Sequence, residues 1–109
     1  NLQEKIDQLK KIESELREFQ FQIESTEAQL REIDKSLDIL ENAKDLNFQK
    51  KGSIFFLMTP NSIKDDLTNK KELLKKIRTR LASQEQQQRV KFQVLQEEVQ
   101  KLTYTGSSI

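Results

Sequence analysis

The sequence predicts a mostly α fold: an antiparallel two-helix coiled-coil hairpin with a small β-hairpin between the helices. Three observations carry that prediction. Leucine and isoleucine recur every seven residues in each half of the chain, and the two halves carry opposite net charge. Between them the helical period stops at a glycine flanked by aromatic and β-branched residues. The expected parts of this single domain are helix one over 1–43, an oligomerising β-hairpin over 44–60, helix two over 61–104 and a flexible tail over 105–109.

In the first arm, Leu2, Leu9, Leu16, Ile23, Leu30 and Leu37 keep a strict interval of seven. Ile12, Phe19, Thr26, Ile33 and Leu40 follow five of them by three residues. This is an a/d heptad register, and a repeat of seven on a helix of 3.6 residues per turn holds its stripe in place only by supercoiling around a partner. Residues 1–43 therefore need a second helix along their length.

The second arm supplies one. Leu67, Leu74, Leu81, Gln88, Leu95 and Leu102 again recur at seven, joined by Ile63 and Ile77 early and by Phe92 and Val99 late. The companion position moves from three after to four after, so a shift of the seam is expected around 83–88, where Gln84, Gln86, Gln87 and Gln88 cluster. Pro60, then Ser62 with Asp65 three residues on, predicts a capped start. Each arm is on the order of 60 Å long at about 1.5 Å per residue. Charge favours their pairing, since residues 1–43 carry net −5 and residues 61–104 net +4.

Between the arms, Phe48, Gly52 and the run Ile54, Phe55, Phe56, Leu57, Met58 read as a β-hairpin. Alternate residues of a strand point to opposite faces, so Ile54, Phe56 and Met58 form one apolar face and Phe55 and Leu57 another. A strand apolar on both faces has to be covered on both, and a lone two-stranded ribbon is marginal in water. Leaving such side chains exposed forgoes about 1.5–3 kcal/mol each. The sequence thus expects oligomerisation through this segment.

Composition narrows the chemistry. Cysteine and histidine are absent, which removes thiolate and imidazole metal ligands, the usual nucleophile–base pairs and any disulfide. No cofactor, metal or catalytic residue is expected. The paired acids Asp65–Asp66 and Glu97–Glu98 diverge around a helix and read as cap and surface residues. The longest apolar run, Ile54–Met58, is far short of the roughly 20 residues that cross a bilayer. With no signal-peptide layout at the start, a cytoplasmic address is expected.

Two heptad arms around a β-hairpin, with Phe48, Gly52, Ile54 to Leu57 and the helix restart Ser62-Ile63-Lys64-Asp65-Asp66-Leu67, resemble the β-type prefoldin subunit. The likeness covers the whole chain in architecture, and its distinctive stretch is about 45–75. Within the family the eukaryotic subunit 1 type is the nearest likeness. The strand is aromatic-rich, Phe48 stands where a tyrosine is common, and no Thr-Pro pair precedes it. The resemblance implies a hetero-hexamer of α-type and β-type subunits, a chaperone that binds unfolded protein without ATP and delivers it to a group II chaperonin.

A chaperone that only holds its clients needs exposed, adaptable apolar surface. Both chain ends meet at the hairpin's open end, so the expected client-binding residues are Leu2, Ile6, Leu9 and Ile12 with Val94, Leu95, Val99 and Leu102. Most also serve the seam, whereas Ile6 and Val94 fall off the a/d register and are expected to stay outside it. Phe21 is a further off-seam aromatic. Two rival readings remain. The basic run Lys70, Lys71, Lys75, Lys76, Arg78 and Arg80 is a candidate phosphate stripe, but the acidic first arm is its natural partner and no stacking aromatic is interleaved, so nucleic acid is not expected. A structural coiled-coil scaffold or tether shares the heptads but does not need the two-faced β segment.

Overall fold

The computed structural model describes residues 1–43 and 60–107, as an all-α, two-helix antiparallel hairpin. Helix α1 is Leu2–Ala43 and helix α2 is Pro60–Ser107. The expected β-hairpin, with Phe48, Gly52 and Ile54 to Met58, lies outside the described residues. Helix α2 starts at Pro60, two residues ahead of the expected cap at Ser62, because proline's fixed φ and missing N–H suit the first helical position. It also runs past the expected end at 104 to Ser107.

The chain forms two compact units, one of residues 1–24 and 79–109, the other of residues 25–78. In the first, Lys5 Nζ pairs with Glu98 Oε2 at 2.5 Å, and Gln88 Nε2 donates to Glu15 Oε2. Moving ten residues forward on α1 therefore moves ten back on α2. In the second, Asp34 Oδ1 pairs with Lys71 Nζ at 2.6 Å and Glu41 Oε2 with Lys64 Nζ at 3.6 Å, seven forward against seven back. The helices are antiparallel and in step within each unit. Both pairs of the second unit join an acid on α1 to a lysine on α2, as the net charges require, whereas Lys5–Glu98 reverses the polarity.

Burial on α1 follows the heptads. Every a/d residue from Leu9 to Leu40 is buried or half-buried, with Ile12, Thr26, Leu30 and Ile33 the most enclosed. The core of the second unit is Leu30, Ile33 and Leu74, with Leu37 and Leu67 packed against it. Among the described residues no side chain is completely sealed from solvent, as befits a seam of two helices. Thr26, only 6% exposed, is the buried polar residue among them.

Helix α2 corrects the expected change of register. From Leu67 onward its covered row is 67, 71, 74, 78, 81, 85, 88, 92, 95 and 99, alternating four and three without interruption, with Glu98 half-covered beside it where it meets Lys5. The companion stands four after the heptad residue throughout, and the helix is continuous through the glutamine cluster. Lys71, Arg78 and Glu85 fill the companion positions, while Ile77 sits at the surface. A register change has to overwind or unwind the helix locally. Long polar side chains avoid that by laying their methylenes along the seam and carrying their charge to its edge, as Lys71 does in reaching Asp34.

Candidate functional site

The unit that holds both chain ends contains all eight residues expected to bind clients. Its N-terminal end is helical from Leu2 onward. Asn1 Oδ1 accepts the Glu4 N–H at 3.2 Å and its carbonyl accepts the Lys5 N–H at 3.2 Å, an N-cap that leaves Leu2 in the first turn. Four residues inward, Lys5 bridges to Glu98 on the opposite helix.

The expected residues fall into three groups. Ile12 is buried; Ile6, Leu9, Leu95 and Val99 are half-buried; Leu2, Val94 and Leu102 are exposed. Val94 stays outside the seam, as its off-register position requires, whereas Ile6 is partly covered. Phe21 projects to solvent, 68% exposed.

Ile12, Val94 and Leu95 come together on one groove of about 560 Å³. The other five expected residues do not line it. On α1 the lining is Gln8, Lys11, Ile12 and Glu15, clustered within two turns as one flank of a helix must be. On α2 it is Gln88, Val90, Lys91, Val94 and Leu95. Ile12 lies deep at 9% exposure, while Val90 and Val94, four apart and therefore adjacent on the helix surface, are each 49% exposed. The Gln88 amide holds the Glu15 carboxylate across the groove. Lys11 and Lys91 take part in no ion pair among the described residues.

Sequence reasoning misses Val90, Lys11 and Lys91. The signal for Val90 is its spacing, because an apolar residue four before the off-register Val94 starts a second stripe beside the seam. Nothing in the sequence singles out the two lysines.

The sequence profile described as Prefoldin subunit matches residues 3–105, nearly the whole chain. The chain belongs to the prefoldin subunit family, in its β-type branch. Membership makes it a non-enzymatic chaperone subunit of the prefoldin complex, with other prefoldin subunits as partners. No curated protein matches the chain, and no solved structure does. Among the described residues, no helix is long and apolar enough to cross a membrane.

Proposed function

We propose that this prefoldin subunit works in the cytoplasm as one β-type member of a hetero-hexamer of two α-type and four β-type subunits, closest to the eukaryotic subunit 1 type. The complex binds unfolded protein without ATP and passes it to a group II chaperonin. Phe48, Gly52, Ile54, Phe55, Phe56, Leu57 and Met58 carry the assembly. Leu2, Ile6, Leu9, Ile12, Val94, Leu95, Val99 and Leu102, at the ends of the helices, carry client binding.

The observation that supports the holding step is apolar surface left open in the unit containing both chain ends. Leu2, Val90, Val94 and Leu102 are exposed there, beside a capped and salt-bridged hairpin end. Each large apolar side chain newly covered contributes about 1.5–3 kcal/mol before ordering costs. One helix end therefore grips weakly. Several subunits gripping one chain raise the overall affinity by effective concentration while each contact remains free to let go.

The test is a complex reconstituted with this chain lacking residues 1–12 and everything from 94 onward. Assembly is expected to persist while suppression of client aggregation falls to the level of a complex without any grip from this subunit. Undiminished suppression would remove the helix ends from the mechanism.

A further inference from the structure

We infer that the groove between Ile12 and the Val90–Val94 pair is a preformed client subsite that selects unfolded segments in which an apolar side chain is flanked by carboxylates. The inference rests on the client-binding reading above and names the class of segment that the site takes. It differs from a fraying helix end in being an open groove between two formed helices.

Its floor and one wall are apolar, formed by Ile12, Val90, Val94 and Leu95, and its volume of about 560 Å³ lies within the roughly 300–1,000 Å³ of ordinary ligand pockets. That is room for the side chains of a short extended segment. Closing the groove by repacking is not open to the hairpin. Val90 and Val94 lie off the row of covered positions on α2, so turning them inward would expel Leu95 and Phe92 from the seam.

The charges around the groove decide what kind of segment fits. Glu15 is the only carboxylate of the described lining, and the Gln88 amide already occupies one of its oxygens. Lys11 on α1 and Lys91 on α2 are both exposed, and neither takes part in an ion pair among the described residues. One lysine outside every ion pair among the described residues thus borders the groove from each helix. A segment with an acidic residue on either side of its apolar anchor satisfies both, whereas a basic segment meets like charge on both rims.

The experiment uses the complex reconstituted with the full chain, and fluorescently labelled unstructured peptides of one apolar core flanked by Glu, by Gln or by Lys. Anisotropy titrations should give binding of the Glu-flanked peptide about three- to ten-fold tighter than the Lys-flanked one, narrowing as salt approaches roughly 0.5 M. The double variant Lys11→Glu, Lys91→Glu should invert that order. Val90→Ser with Val94→Ser should weaken all three peptides alike. Circular dichroism checks that each variant keeps its helix content. Equal binding of the three peptides, or an order unmoved by the charge reversal, would overturn the subsite while leaving the holdase reading intact. Failure of every peptide to bind, together with loss of aggregation suppression, would overturn both.

Discussion

Leu74 shows how thin the margin is at the level of single residues. It is 7% exposed and packs with Leu30 and Ile33, and no larger cluster backs that trio among the described residues. Truncating a buried leucine removes its transfer free energy and leaves a cavity, for about 2–5 kcal/mol in a thick core. In a two-helix seam the neighbours can collapse and water reaches the gap, so Leu74→Ala should cost near the lower end, about 2 kcal/mol, as a lower denaturation midpoint by circular dichroism. Leu73→Ala is the control, since Leu73 is exposed on the same helix and its loss should leave stability within about 0.5 kcal/mol. The same contrast between inward and outward positions explains which site residues are legible in the sequence. Val94 stands out because it is apolar and off register. Lys11 and Lys91 do not, because an unpaired lysine looks like any solvated one until the fold shows which groove it borders.

At the scale of the helices, the strict heptads of α1 make its span and buried face legible in the sequence itself, since consecutive apolar residues seven apart leave only one face to bury. Helix α2 is legible near its ends and misleading in its middle. There Lys71, Arg78 and Glu85 take inward positions that an apolar pattern does not mark, and Ile77 draws the register toward the wrong row. The continuous register has a direct test. Glu85→Leu places an apolar side chain on the covered row and gives up only a partly exposed i,i+4 pair with Arg89, at 3.4 Å. It should raise stability by about 1 kcal/mol. Gln84→Leu, one residue away on the exposed surface, should change it little. The reverse ranking in thermal melts would restore a shifted seam. The start at Pro60 lies two residues before the expected cap because the Ser62–Asp65 spacing reads as a capping box, whereas proline's own fitness for the first helical position places the turn earlier.

For the whole molecule, the seam, the charge pairing and the open apolar end lead to one division of labour. Heptad packing holds the two helices together and the Asp34–Lys71 and Glu41–Lys64 bridges add to it, while apolar side chains outside the seam stay exposed in both units, Leu2, Val90, Val94 and Leu102 in the one that holds the chain ends. Family membership supplies the partners that such a subunit needs. The central claim is that the chain acts as a holdase only within that assembly. The most direct measurement is light scattering from a denatured client diluted into buffer without ATP, with this chain alone and with this chain assembled with α-type prefoldin subunits. The account predicts suppression by the mixed, hexameric assembly and little or none by the isolated chain. Unchecked aggregation in the presence of a well-formed assembly would contradict it, and would leave a structural coiled coil as the better description.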